Sequence, residues 1–134
     1  MKTDLSFWLL LATGLSLVGV GATYWYDPEV MYRLYGADAG GSTEHHLART
    51  AFGGLHIAIG IALLFGAGTD RLRTAGLQLQ GIYLAGIIFG RLGSFLFDGR
   101  PTSPIILPEF VVEIVLFVAT VGLLKRATRA DPGR

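Results

Sequence analysis

The sequence contains no cysteine and few charged residues. Cysteine is absent from all 134 positions, and Asp, Glu, Lys and Arg together make up 16% of them. Without cysteine the chain cannot form disulfides, use a thiolate nucleophile, or hold zinc or iron–sulfur clusters through sulfur. The 11 basic and 10 acidic residues nearly cancel, and a net charge of +1 does not indicate a nucleic-acid partner. No phosphate-binding loop, dinucleotide fingerprint or nucleophile elbow occurs, so soluble-enzyme chemistry is not predicted.

The chain is rich instead in apolar residues arranged in long runs. Hydrophobic residues make up 51% of the sequence, and the mean hydropathy is +0.53. The apolar runs cover residues 5–25, 47–65, 77–97 and 105–124. Each has about 20 residues, which at ~1.5 Å per residue crosses a hydrocarbon core of ~30 Å. None has the broad polar face of a helix in a soluble bundle, which is the less favoured alternative. We therefore predict an all-α fold in which residues 1–134 form one polytopic membrane domain, a four-transmembrane-helix bundle.

The loops predict an orientation. With four spans, both termini and the loop at 66–76 share one side of the membrane. That side carries most of the basic residues, namely Lys2, Arg71, Arg73, Lys125, Arg126, Arg129 and Arg134. The positive-inside rule then predicts cytoplasmic termini. In the first outer loop, Asp27 as cap, Pro28 in the first turn and Gly36 as terminator predict a short interfacial helix.

Three of the four spans carry a narrow polar stripe. Its residues are Arg49 and His56 on the second span, Arg91 and Asp98 on the third, and Glu109 and Glu113 on the fourth. A charge at the centre of a membrane helix costs about 2.5–3.5 kcal/mol, so these stripes should face neighbouring helices, in the outer half of the bundle. We predict a buried network in which Arg49 and Arg91 pair with the two glutamates. The spacing does not decide whether Arg91 pairs with Asp98, Glu109 or Glu113.

This network has two interpretations. It either locks the helices in register without a ligand, or lines a pocket open to the outer side. In the pocket, two arginines would hold an anionic head group, His56 would add a hydrogen bond or accept a proton, and a glutamate would titrate with a raised pKa. A metal site is not favoured, because His45 and His46 point about 100° apart on a helix and no paired-histidine motif occurs. No cofactor is predicted.

Small residues also recur at four-residue spacing. They are Gly54, Ala58 and Ala62 on the second span, and Gly86, Gly90 and Ser94 on the third. Such rows let helices approach closely in lipid, either within one chain or between chains. The sequence therefore leaves a homo-oligomer open.

Several stretches resemble a bacterial family of four-helix membrane proteins, the domain-of-unknown-function family numbered 4345. They are Asp27-Pro28, "ARTAFGGLHIAIGI", "GRLGSFLFDGRPTSP" and "LPEFVVEIVL". The matching positions are Asp27, Pro28, Arg49, Gly53, Gly54, Gly60, Gly90, Arg91, Asp98, Gly99, Pro101 and Glu113. The resemblance covers nearly the whole chain and implies four spans in a bacterial inner membrane. It implies no activity.

The lack of a catalytic motif favours a non-enzymatic role. We expect a small membrane protein that binds a lipid or other amphiphile, or that serves as an accessory subunit of a larger membrane complex. Membrane lipids are then its expected partners. One alternative is a small transporter that works as an oligomer. The other is a membrane enzyme that acts on a lipid-like substrate, with His56 and Glu113 as acid and base.

Overall fold

The described part of the chain is built from helices. The computed structural model describes residues 4–38 and 40–130, except the side chains of 128–130. Its elements are α1 (Leu5–Tyr26), α2 (Glu29–Tyr35), α3 (Ser42–Gly68), a 3₁₀ turn (Asp70–Leu72), α4 (Arg73–Phe97) and α5 (Ile106–Ala130). Four of these helices, α1, α3, α4 and α5, are long and apolar enough to cross a membrane. The predicted all-α, four-span fold is therefore confirmed.

Two of the membrane-spanning helices begin before their apolar runs. α3 starts at Ser42 rather than near residue 47, and α4 at Arg73 rather than near residue 77. Hydropathy marks only the apolar part of a helix, whereas polar residues can continue the same backbone hydrogen bonds for another turn. The short helix expected in the first loop is α2. Asp27 accepts a hydrogen bond from the amide of Glu29 at 3.1 Å, and Gly36 closes the helix with a φ of 73°.

The two ends of the bundle are named from here on by what they carry. The terminal end holds Asp4, the 3₁₀ turn and Ala127, which lie close together. The far end holds α2 and the loop at residues 98–105. The buried core Leu10, Leu63, Ala67 and Leu77 joins α1, α3 and α4 in the terminal half, and Tyr24, Met31 and Ala48 join α1, α2 and α3 at the far end.

α1 and α3 form the most extensive helix contact, and glycines make it close. A Cβ added to Gly14 would lie 2.9 Å from the carbonyl oxygen of Gly60, and one added to Gly21 would lie 2.7 Å from that of Gly53. Helices in lipid associate by such packing, because lipid tails are as apolar as the side chains. The contact row on α3 is thus Gly53 and Gly60, not the predicted Gly54 row.

The predicted small-residue row on α4 is not used for packing in the same way. A Cβ added at Gly86 or Gly90 would meet no other atom of the described chain within 4 Å. The row at residues 86–94 therefore does not bring two helices of this chain into close contact.

A π-helical segment, Ala48–Gly54, interrupts α3 near the far end. A π turn contains more residues than an α turn, so side chains before and after it no longer follow one 3.6-residue period. Arg49 and His56, seven residues apart, would share a face in a regular α-helix. The π segment separates them.

We predict that Gly21→Ala destabilises the bundle by about 1–3 kcal/mol relative to Gly19→Ala, the usual effect of overpacking. Both variants add the same helix-favouring methyl group, but a Cβ at Gly19 meets nothing within 4 Å. Unfolding in mixed detergent micelles, followed by circular dichroism, measures the difference. Equal stability of the two variants would show that the α1–α3 contact has room for a methyl group.

Candidate functional site

Arg91 on α4 is the centre of a charged cluster at the far end. Its Nε lies 2.7 Å from Oε2 of Glu113 and its Nη2 lies 2.8 Å from Oε1 of the same carboxylate. The same Nη2 donates to Oε2 of Glu109 at 2.9 Å. The side chains of Arg91 and Glu113 are only 19% and 16% exposed, and that of Glu109 is 35% exposed. One guanidinium therefore binds two carboxylates that lie one turn apart on α5.

Tyr35 connects α2 to this cluster. Its hydroxyl donates to the carboxylate of Glu109, with distances of 3.0 and 2.9 Å to the two oxygens. Burial raises the pKa of Tyr35, and the hydrogen bond to the Glu109 carboxylate raises it further, so the hydroxyl keeps its proton. The far-end cluster therefore consists of Tyr35, Arg91, Glu109 and Glu113. The sequence gives no sign that Tyr35 belongs to this cluster, because its partner Glu109 lies 74 residues away.

His56 lies deeper in the bundle than the far-end cluster. Its Nε2 is 3.0 Å from the hydroxyl of Tyr83, which precedes Arg91 by about 12 Å along α4 at ~1.5 Å per residue. The ring also stacks on Phe52 with 6.2 Å between centroids. The buried Nδ1 has no hydrogen-bond partner among the described residues. His56 is thus joined to a tyrosine and not to either glutamate.

Arg49 and Asp98 lie outside the far-end cluster. Arg49 is exposed, and its Nε donates to the carbonyl of Trp25 at 3.0 Å. The predicted pairing of Arg49 with a glutamate is wrong, because the π segment turns this side chain toward α1. Asp98 is exposed at the end of α4, where its amide donates to the carbonyl of Ser94 at 2.8 Å. The two-arginine anion site expected from the sequence is therefore not assembled.

A cavity of about 650 Å³ lies at the terminal end, between the first turn of α1, the start of α4 and the last turns of α5. This volume falls within the usual range for ligand sites, about 300–1,000 Å³. Its apolar wall includes Leu5, Leu77 and Leu123, and its charged residues are Asp4, Asp70, Arg73 and Arg126. We call it the terminal cavity. The sequence does not predict the terminal cavity, because the residues that line it lie far apart along the chain, near both ends of its described part and in the central loop.

Arg73 is buried in the wall of the terminal cavity and is held by its own chain. Its Nη2 donates to Asp70 at 2.8 Å and to the carbonyl of Ala67 at 3.0 Å, and its Nη1 lies 3.7 Å from Asp4. The guanidinium also lies 5.9 Å from the centroid of the Phe7 ring, within cation–π distance. Arg73 therefore fastens the α3–α4 turn to the start of α1.

Asp4 caps α1 at the mouth of this cavity. Its Oδ1 accepts hydrogen bonds from the hydroxyl of Ser6 and from the amide of Phe7. The Ser6 hydrogen bond is the largest cause that lowers the pKa of Asp4, and the charge of Arg73 adds to it. The carboxylate is thus ionised at neutral pH. Across residues 4–38 and 40–130, no three His, Asp or Glu side chains come close enough to hold a metal ion.

These features define the class of protein: a four-helix membrane bundle with a partly buried Arg–Glu cluster at one end and a cavity at the other. A family model described as a domain of unknown function (DUF4345) matches residues 6–124. The chain therefore belongs to this family, and the resemblance seen in the sequence is confirmed. Neither a curated protein nor a solved structure matches the chain significantly. The family description names no activity, so the residues of the two sites are the only guide to function.

We predict a larger coupling energy for Arg91 with Glu113 than with Glu109. Glu113 receives two hydrogen bonds from the guanidinium and is the more buried of the two glutamates. Arg91→Met should cost less than the roughly 3–5 kcal/mol of a fully buried ion pair, because the pair here is only partly buried. Double-mutant cycles with Glu113→Gln and Glu109→Gln, measured by unfolding in detergent, compare the couplings, expected at about 0.5–3 kcal/mol. Arg49→Met is the matched arginine control and should show no coupling to Glu113. Additive effects of Arg91→Met and Glu113→Gln would contradict the pairing.

We predict a pH-dependent effect of Asp4→Asn on stability. Asparagine also caps helices, so the substitution removes mainly the charge. A carboxylate whose folded pKa lies below the ordinary value of 3.8 stabilises the fold above that pH, and the contribution is lost as pH falls through the lowered value. Asp4→Asn should therefore be less stable than wild type at pH 7, with the difference shrinking below pH 4. The same pH series with Asp98→Asn, at an exposed aspartate, controls for general effects of acid. A stability difference between Asp4→Asn and wild type that persists at low pH would contradict the role of the charge.

Proposed function

We propose that the protein is a non-enzymatic membrane protein that binds an amphiphile in the terminal cavity. The observation that carries the proposal is the cavity itself, whose lining combines apolar side chains with charged ones. A lipid or similarly shaped molecule has the same division into an apolar and a polar part. We assign the far-end cluster a structural role.

The hydrogen bonding of the far-end cluster supports that structural role. Arg91 donates three hydrogen bonds to the two glutamates, and Tyr35 donates to Glu109. The Nε and Nη2 groups of Arg91 are therefore already paired with carboxylates. Two glutamates beside the guanidinium also repel an incoming anion, so an anionic ligand is better accommodated elsewhere.

The position of the terminal cavity supports binding of an amphiphile. Asp4 precedes α1, Asp70 precedes α4, and Arg126 lies in the last turns of α5, so all three are at ends of membrane-spanning helices. Lipid head groups occupy this level of a bilayer. Leu77 and Leu123 lie further along their helices, where hydrocarbon begins. A bound amphiphile would place its polar group among the helix ends and its hydrocarbon along the leucines.

The other functions considered from the sequence stay predictions. A membrane enzyme that uses His56 and Glu113 would need both groups available to one substrate. His56 is hydrogen-bonded to Tyr83, and Glu113 is bound to Arg91. The accessory-subunit role and the oligomeric transporter have no specific contact in their favour.

The proposal predicts that an amphiphile stays bound through gentle extraction. Native mass spectrometry of wild type with lipids retained should show one bound molecule per chain. Ala127→Trp places a large ring in the lining of the terminal cavity and should remove that molecule. Ala119→Trp is the matched control, because Ala119 is exposed on the same helix two turns away and does not line the cavity.

Three results would contradict the proposal. The first is wild-type protein that carries no bound molecule. The second is equal loss of the molecule in Ala127→Trp and Ala119→Trp, which would place it on the outer surface of α5. The third is loss in Arg91→Met with retention in Ala127→Trp, which would place the binding site at the far-end cluster.

A further inference from the structure

We infer that the amphiphile in the terminal cavity carries a zwitterionic head group, with an ammonium that binds Asp4 and a phosphate that binds Arg126. This inference rests on the proposed function and names the ligand class for the same site. The reason is that the lining residues include one acceptor and one donor group that make no hydrogen bond within the described chain. The occupant to which it commits is a phospholipid of the ethanolamine type, because its head group has both charges and its ammonium can donate hydrogen bonds.

The described residues that line the terminal cavity have balanced charges. Among them are two carboxylates and two guanidiniums, so this described part of the lining is neutral. A ligand with a net charge would leave that charge uncompensated in a partly apolar cavity, which is unfavourable. A zwitterion matches both the zero sum and the presence of both signs.

The acidic side of the terminal cavity offers an acceptor for an ammonium group. Asp4 uses only Oδ1 in its contacts with Ser6, Phe7 and Arg73, while its side chain is 55% exposed. Among the described residues Oδ2 accepts no hydrogen bond. An ionised carboxylate oxygen at the mouth of a cavity is an acceptor for an ammonium N–H, and such charge-assisted bonds are stronger than neutral ones.

The basic side of the terminal cavity offers donors for a phosphate group. Arg73 is not this donor, because it already binds Asp70, the carbonyl of Ala67 and the Phe7 ring. Arg126 is exposed and forms no ion pair with a carboxylate of the described chain. Its planar guanidinium presents paired donors that match two phosphate oxygens. Among the described residues, the cavity therefore has an unused acceptor at the start of α1 and an unused donor group on α5.

The experiment offers the full-length protein an equimolar mixture of three phospholipids with identical acyl chains. Their head groups are ethanolamine, choline and glycerol. Native mass spectrometry counts the lipid bound in the terminal cavity, defined as the fraction lost in Ala127→Trp. We expect the ethanolamine lipid to exceed each of the others by about 2- to 10-fold, the range for one hydrogen bond. Choline has the same charge but no N–H to donate.

Variants assign the two contacts separately. Asp4→Asn should remove the preference for ethanolamine over choline while lipid still binds. Arg126→Gln should weaken binding of all three lipids, and Arg126→Lys should restore most of it. Arg71→Gln is the matched control, because Arg71 is exposed in the 3₁₀ turn at the same end but does not line the cavity.

Several results would overturn the inference. Equal binding of ethanolamine and choline lipids by wild type would remove the ammonium contact, and a preference for the glycerol lipid would indicate an anionic ligand. In both cases the proposed amphiphile binding stands. Displacement of lipid by an equal concentration of soluble phosphoethanolamine would show that the apolar walls contribute nothing. If no lipid is lost in Ala127→Trp, the proposed function itself fails.

Discussion

A buried arginine in a membrane helix needs an opposite charge within reach, and Arg91 has two. The guanidinium holds Glu109 and Glu113, one turn apart on α5, and Tyr35 holds Glu109 from the other side. These bonds require that α4 and α5 have one relative register, since a shift of one turn would leave Arg91 or a glutamate unpaired in an apolar environment. They also require α2 to fold back over the bundle. The orientation of three helices thus depends on this one cation.

The remaining stability comes from close packing, because the hydrophobic effect does not drive helices together inside lipid. α1 and α3 pack through pairs of glycines, Gly14 with Gly60 and Gly21 with Gly53. Gly53 lies within the π segment. The irregular backbone and the close helix contact therefore occur at the same place. Arg49, within the same segment, bonds the backbone of α1.

The arginines at the two ends of the bundle have different partners. At the far end, Nε and Nη2 of Arg91 bind two glutamate side chains. At the terminal end, Arg73 binds a carboxylate, a backbone carbonyl and an aromatic face. There Oδ2 of Asp4 accepts no hydrogen bond from the described residues, and Arg126 is exposed beside a cavity. This difference is why we assign stability to the first site and ligand binding to the second.

Composition along each helix was enough to predict the four spans, since length and hydropathy are properties of one helix at a time. The sequence also predicted that Arg91 meets a carboxylate, because residues three or four apart share a face and a charge in lipid needs an opposite charge. It did not choose among Asp98, Glu109 and Glu113. It could not predict that Arg49 leaves the network, because the π segment breaks the period on which that reasoning depends. Nor did the sequence predict the contact between Tyr35 and Glu109, or the existence of the terminal cavity. Those contacts join residues far apart in the chain, and only the packing of whole helices against each other decides which of them meet.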